Sequence, residues 1–189
     1  MRNQNRRLSV EACWRPVRRG VFAGVDTGLV RWIRDDSSLT HRVINACRGS
    51  FSVHVQGQYR ARPLPSERRL LGTPVAEKML IREVQLRCDH EAWVFARTLI
   101  PAATLRGRAR RLARLGDRPL GALLFADPAT ERRRVEVGRL VPRHPLFAHA
   151  ARHLDHRPRA FWGRRTLFVY AGRPLLVNEI FLPGVPPAR

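Results

Sequence analysis

The chain has 189 residues, of which 44% are hydrophobic, and its formal net charge is +21. This length suits one domain with its own core, and the hydrophobic fraction argues against wholesale disorder. No apolar run approaches the roughly 18 residues that cross a bilayer, and the basic N-terminus lacks the apolar stretch of a secretory signal. We therefore expect a soluble cytoplasmic domain over residues 21–189, preceded by a loose basic arm, residues 1–20.

Two further features of the composition limit the possible partners. The three cysteines, Cys13, Cys47 and Cys88, form no CxxC pair, which favours reduced thiols over a disulfide framework. The positive charge could attract nucleic acid, but the densest arginine runs, 106–111 and 132–134, contain no aromatic residue for base stacking. We interpret these runs as solvated faces that attract small anions over long range, and we predict no nucleic-acid partner.

In chain order, short helices are predicted after Asp26 and after the segment 36–38, because capping residues precede apolar residues at helical spacing. Alternation then predicts strands and hairpins, and Gly116 and Pro119 mark the end of one helix and the start of another. Consecutive hairpins without a βαβ rhythm indicate an α+β domain, an antiparallel sheet with helices on one side. The predicted strands are 51–57, 79–88, 92–100, 131–141, 166–171 and 175–182, and the central helix is 102–115.

Three charged residues lie among apolar residues on predicted strands. Side chains alternate along a strand, so Arg82 shares a face with leucine and valine, and Arg97 and Glu179 lie on similar faces. An unpaired buried charge is costly. The three could therefore form internal salt bridges, such as Arg82 with Glu179, or the faces could be assigned wrongly. Alternatively, two arginines facing one glutamate would make a positive pocket for a carboxylate ligand, which arginine binds bidentately.

The sequence resembles the chorismate pyruvate-lyase family over roughly residues 25–183. The resemblance is carried by several motifs in the same order and at similar spacing. They are Asp-Ser-Ser-Leu-Thr-His-Arg at 36–42, Ile-Arg-Glu-Val at 81–84, the strand 93–101, Leu-Gly-Asp-Arg-Pro-Leu-Gly at 115–121, Leu-Phe at 124–125, Trp-Gly-Arg-Arg at 162–165, and 172–183 with its Asn-Glu-Ile-Phe-Leu-Pro.

The resemblance implies a monomer with a six-stranded antiparallel sheet and a buried site beneath helical flaps. It implies cofactor-free cleavage of chorismate into 4-hydroxybenzoate and pyruvate, for ubiquinone biosynthesis. In the family, an arginine and a glutamate that match Arg82 and Glu179 hold the aromatic acid, and a leucine that matches Leu120 lines the site. Leu39 replaces a methionine of similar volume, so we expect the wall of the site to be kept.

The expected roles follow from the two carboxylates of chorismate. Arg82 would bind the ring carboxylate, Arg97 the pyruvyl carboxylate, and Glu179 would act as acid or base at the ring hydroxyl. The histidines of segment 144–156 lack the pattern of a zinc site, so no metal is expected. A non-catalytic aromatic-acid sensor of the same fold is the alternative, and a basic nucleic-acid-binding module, with salt-dependent affinity, is a weaker one.

Overall fold

The structure, a computed structural model, describes residues 11–17, 22 and 25–187. These residues form one antiparallel sheet of seven strands in the order β1-β5-β6-β7-β4-β3-β2. The strands are β1 (Arg15–Pro16), β2 (Phe51–Ala61), β3 (Met79–Cys88), β4 (Glu91–Ile100), β5 (Glu131–Leu140), β6 (Phe161–Tyr170) and β7 (Arg173–Phe181).

The predicted α+β class with an antiparallel sheet is confirmed, but the described residues form seven strands, not six. The additional strand, β1, comes from the predicted loose arm: Arg15 and Pro16 pair with Val137 and Glu136 on β5. Part of the arm therefore belongs to the sheet. Residues 1–10 and 18–20 of the arm lie outside the described residues, and the domain boundary stays a prediction.

The helices are short, and their ends follow local chemistry. A carboxylate oxygen of Asp26 accepts from the backbone N–H of Leu29 at 3.0 Å and so caps the first helix. The predicted helix 102–115 forms only as a 3-10 helix over Gly107–Arg114, and it is flanked by Gly107 and Gly116, which both have positive φ. No helix of the described part is long and apolar enough to cross a membrane. The helices are α1 (Thr27–Arg34), α2 (Leu39–Ala46), α3 (Pro65–Leu71), the 3-10 helix (Gly107–Arg114), α4 (Leu120–Phe125) and α5 (Pro145–Ala150).

Helices cover both faces of the sheet, so the prediction of helices on one side is wrong. On one face, which we call the inner face, α1, α2, the 3-10 helix and α4 pack against residues such as Val84 and Val177. On the opposite, outer face, α5 packs its Phe147 against Phe95 and Ile180. The central strands are apolar on both faces, and each face needs a cover to exclude water.

A disulfide links Cys47 to Cys88, so the prediction of reduced thiols is wrong for this pair. Cys47 ends α2 and Cys88 ends β3, and the bond ties the rear of α2 to the sheet. Cys13 is a free, exposed thiol.

Candidate active site

A small cavity lies between the inner face of the sheet and two helices, α2 and α4, which we call the flaps. Its volume is about 50 Å³, enough for a few water molecules but less than an aromatic acid. Most of its wall is apolar, and two ionisable side chains, Arg82 and Glu179, reach it. The flaps contribute Leu39, Thr40, Leu120 and Leu124, and the sheet contributes Val84, Ala96, Thr98, Phe168 and Val177.

The two flaps touch each other closely at Gly121. A β-carbon added there would lie 2.9 Å from Thr40 Oγ1 and 3.0 Å from Ser38 Oγ. Ser38 is the cap of α2 and Thr40 is in its first turn. The absence of a side chain at residue 121 therefore lets the start of α4 rest on the start of α2, and this contact closes the cavity.

Arg82 projects from β3 at one end of the cavity and is 2% exposed. One nitrogen, Nη2, donates to the backbone carbonyls of Gly116 (2.9 Å) and Arg118 (3.2 Å). Its Nε is buried and has no hydrogen-bond partner among the described residues. Burial lowers the pKa of the guanidinium, with partial opposition from the charge of Asp117. A buried donor without a partner is costly, so this arginine is suited to an anionic ligand.

Glu179, on β7, is held by Arg164 of the neighbouring strand β6. The two residues are register partners, and Arg164 Nε donates to Glu179 Oε2 at 2.6 Å. Arg164 also donates to the backbone carbonyls of Ile33 and Asp35, just before the flap α2. The arginine therefore fixes the orientation of the carboxylate and connects it to the segment that leads into the flap.

Arg82 and Glu179 do not pair with each other, so the suggested salt bridge between them is wrong. They lie on β3 and β7, with β4 between them, which separates the two strand axes by roughly 10 Å. The space between them is lined by Ala96 and Thr98 of β4. The cavity thus has a cationic end and a carboxylate end with an apolar middle.

Arg97 does not reach this cavity, and the prediction that two arginines face Glu179 is wrong. The two-residue turn at 89–90 would, if the ladder ran regularly, place Arg97 opposite Arg82. A β-bulge shifts the register between Leu86 and Arg87, and Arg82 pairs with Thr98 instead. A shift of one residue moves a side chain to the other face, so Arg97 points to the outer face.

On the outer face Arg97 belongs to a buried ionic network. It contacts Glu67 Oε1 at 3.1 Å and Glu83 Oε1 at 2.7 Å, and it donates to the hydroxyl of Tyr59 at 3.1 Å. Asn178 donates to Glu67 at 3.0 Å. Burial lowers the pKa of Arg97, but the charges and hydrogen bonds of Glu67 and Glu83 outweigh it, and the net shift is upward. For Arg97, the salt-bridge interpretation is the one that the geometry supports.

The histidine-rich segment contributes to the same outer face. His149 Nδ1 lies 2.8 Å from Glu83 Oε1. Burial raises the pKa of Glu83, but His149 and Arg97 lower it by more than burial raises it, and the net pKa is about 2. His144 accepts from the backbone N–H of Val141 at 3.1 Å. Within the described ranges no group of three or more His, Cys, Asp or Glu side chains is arranged to hold a metal ion.

The structure brings four of the five predicted site residues together: Arg82, Glu179, Leu39 and Leu120 all line the cavity. Sequence reasoning missed Arg164, which is 2% exposed. The sequence did contain a signal for its burial. Arg164 has the two-residue spacing of Thr166, Phe168 and Tyr170 along β6, and it therefore shares their face.

The sheet and the two flaps surround a small cavity that has Arg82 at one end and Glu179 at the other. The fold is similar to that of a GntR-family transcriptional regulator from Bacillus cereus, with a TM-score of 0.51, 10% identity and coverage of 70% of this chain and 92% of that one. At this identity the likeness concerns the fold alone.

The sequence profile of the chorismate lyase family matches residues 10–187, and the chain therefore belongs to that family. A protein of Methylococcus capsulatus named probable chorismate pyruvate-lyase is 44% identical over 154 residues, 82% of this chain and 94% of the relative. One from Nitrosomonas eutropha with the same name is 38% identical over 172 residues, 91% and 94% of the two chains. The predictions of this family and of a lyase enzyme are confirmed.

Proposed function

We propose that this chain is a chorismate pyruvate-lyase, which converts chorismate into 4-hydroxybenzoate and pyruvate. The observation that carries the proposal is the small apolar cavity, with the buried Arg82 at one end and Glu179, held by Arg164, at the other. A flat ring with a carboxylate on one side and a hydroxyl on the opposite side matches this order of groups. The names of the relatives support the same substrate.

Arg82 binds the ring carboxylate in this proposal. Its Nε lacks a partner in the described residues, and a guanidinium donates to a carboxylate through parallel N–H groups. The carbonyls of Gly116 and Arg118 hold Nη2 in place, so the ligand meets an arginine whose orientation is already fixed. Such preorganisation reduces the entropy lost on binding.

Glu179 acts at the opposite end of the ring. There its carboxylate accepts the hydrogen bond of the ring hydroxyl and assists removal of the hydrogen on the same ring carbon, as a general base. Arg164 fixes the carboxylate through the 2.6 Å contact, so that its geometry is set before the substrate arrives. We treat Arg164 as a positioning residue, since it acts through Glu179.

The reaction needs no redox change. The carbon–oxygen bond between the ring and the enolpyruvyl group breaks, and its electron pair leaves with the enolpyruvate oxygen. The neighbouring ring carbon loses its hydrogen as a proton, the ring becomes aromatic, and enolpyruvate takes up a proton and tautomerises to pyruvate. Aromatisation provides the driving force, and the protein provides orientation and charge complementarity within a water-poor site.

The flaps must open for the ligand to enter, because the closed cavity has a volume of only about 50 Å³. The contact between Gly121 and the start of α2 is the seam that separates. After reaction the flaps must separate again for the product to leave. Release of 4-hydroxybenzoate therefore limits turnover, as in other enzymes whose lids open slowly.

The test is to incubate the purified protein with chorismate in the presence of EDTA and to quantify 4-hydroxybenzoate and pyruvate by chromatography. Equal amounts of both products support the proposal. Arg82→Ala should lose most product affinity, since removing one partner of a buried charged contact costs about 3–5 kcal/mol, and Glu179→Gln should lose turnover with smaller loss of product affinity. Arg133→Ala is the matched control, because that side chain is 60% exposed.

Two other outcomes would change the conclusion. Tight binding of 4-hydroxybenzoate without turnover would make the protein a sensor of aromatic acids. Neither turnover nor binding would mean that the family's fold is present without its activity.

The proposal extends to the physiological setting: a monomer whose product enters ubiquinone biosynthesis. Deletion of the gene should then lower ubiquinone content, and added 4-hydroxybenzoate should restore it. Light scattering of the purified protein at several concentrations should give the mass of one chain, 21.7 kDa. Ubiquinone that is unchanged by deletion would remove the pathway from the proposal and leave the reaction intact.

A further inference from the structure

Arg132 faces the inner side of the sheet next to the cavity because of a β-bulge. On β5 it pairs with Phe168 of β6, which lines the cavity. The register shifts between Arg132 and Arg134, so Arg133 is the extra residue of the bulge. Bulges often occur beside active sites, where they redirect a side chain. Here the bulge places Arg132, and not Arg133, beside Phe168.

The surroundings of Arg132 are those of a cation at the edge of a binding site. Its Nη1 donates to the backbone carbonyl of Asp36 at 2.8 Å, just before the flap α2. Its Nε is buried without a hydrogen-bond partner in the described residues. Burial first, and then the charge of Arg164, lower the pKa of Arg132, while Glu179, Asp36 and Asp35 oppose this. Arg132 and Arg164 donate to the backbone carbonyls of the successive residues Asp36 and Asp35, so the two guanidinium groups lie near each other.

The charges of the neighbouring groups leave Arg132 suited to an additional anion. The charge of Arg164 is matched by Glu179 at 2.6 Å, and Asp35 forms an ion pair with Arg42. Asp36 is exposed, and it accepts the hydrogen bond of Arg132 through its backbone carbonyl and not through its carboxylate. The buried Nε has no carboxylate partner within the described residues, so an anion at this position would relieve the lack of a partner.

We propose that Arg132 binds the second carboxylate of the substrate, the one on the enolpyruvyl group. This inference rests on the proposed function. With the ring carboxylate at Arg82 and the ring hydroxyl at Glu179, the enolpyruvyl ether is on the carbon next to the hydroxyl. Its carboxylate then lies near the Arg164–Glu179 end, where Arg132 is the neighbouring cation. Arg97, on the outer face, does not fill this role.

The test compares two ligands that differ in this carboxylate. Chorismate has the enolpyruvyl carboxylate and 4-hydroxybenzoate lacks it. Loss of the Arg132 guanidinium should therefore weaken binding of chorismate and not binding of 4-hydroxybenzoate. Arg132→Ala should raise the KM for chorismate about 10- to 100-fold, and the Kd of 4-hydroxybenzoate, measured by calorimetry, should change less than about threefold. Arg132→Lys keeps the charge without the fork and should give an intermediate KM. Arg133→Ala, at the same bulge but exposed and paired with Glu131, should leave both constants unchanged.

The opposite results are distinguishable. Equal loss of affinity for both ligands would show that Arg132 only holds the flap through the carbonyl of Asp36. An unchanged KM for chorismate would show that Arg132 does not contact the substrate. Either result overturns the inference. Absence of turnover in the unsubstituted protein would overturn the proposed function itself. Thermal unfolding of each variant checks folding, and Arg132→Lys supplies the measurement if Arg132→Ala does not fold.

Discussion

Replacement of Arg97 by alanine should destabilise the fold through the outer ionic network. The guanidinium contacts Glu67 and Glu83, and the side chains of all three residues are at most 5% exposed. Removing one partner of such a buried pair costs about 3–5 kcal/mol. A carboxylate left alone could instead take up a proton. The ordinary pKa of a glutamate is 4.5. Protonating the carboxylate at pH 7 therefore costs about 3 kcal/mol, at about 1.4 kcal/mol per pH unit.

Both routes lead to the same expectation, a loss of about 3–5 kcal/mol in the free energy of unfolding at pH 7. At pH 5 the loss should be smaller, because protonation of the freed carboxyl group becomes easier. Urea unfolding followed by circular dichroism at both pH values measures the difference, provided that the slope with urea is unchanged. Arg133→Ala should change stability by less than about 0.5 kcal/mol. A loss below about 1 kcal/mol for Arg97→Ala at pH 7 would refute the reasoning.

Three further predictions concern pH, the flaps and the disulfide. The lowered pKa of Glu83, about 2, contributes stability above the ordinary pKa of 4.5, and this is lost as the pH falls towards 2; acid unfolding of His149→Ala should show a smaller loss over this range, and an unchanged curve would contradict it. Gly121→Ala should force the flaps apart and speed release of 4-hydroxybenzoate, measured by stopped-flow fluorescence, whereas an unchanged rate would mean that the seam is elsewhere. Reduction of the bond between Cys47 and Cys88, 41 residues apart, should lower the free energy of unfolding by up to about 4 kcal/mol in the chain-entropy view; equal urea midpoints with and without reductant would exclude this.

The sequence was sufficient for the class of fold and for four residues of the candidate site. Alternation along β3 and β7 placed Arg82 and Glu179 on apolar faces, which is a local property of each strand. Leu39 and Leu120 were assigned to the site through the resemblance to the chorismate pyruvate-lyase family, and both line the cavity. The helices α3 and α5 were not predicted, because both begin in proline-containing stretches with little helical periodicity.

Which charged residues on different strands share a face of the sheet could not be predicted in the same way. Whether Arg97 shares a face with Arg82 depends on one bulge between Leu86 and Arg87, and no residue in that stretch signals a bulge. The partner of Glu179 was likewise open, since any of several arginines could meet it once the order of strands is unknown. Register and strand order are non-local, and they determine which of several similar charges meet.

On the central strands, residues next to each other in sequence point to opposite faces of the sheet. Arg82 on β3 and Glu179 on β7 point to the inner face, and their neighbours Glu83 and Asn178 point to the outer face. A slip of β3 by one residue would carry Glu83 into the cavity and Arg82 among the carboxyl-binding groups of the outer face. Both exchanges would bury a charge beside the wrong neighbours, at a cost of several kcal/mol for each. The outer network therefore disfavours misaligned pairings of the hairpin. In this way the positions of the charged groups at the cavity depend on contacts made on the opposite face of the same strands.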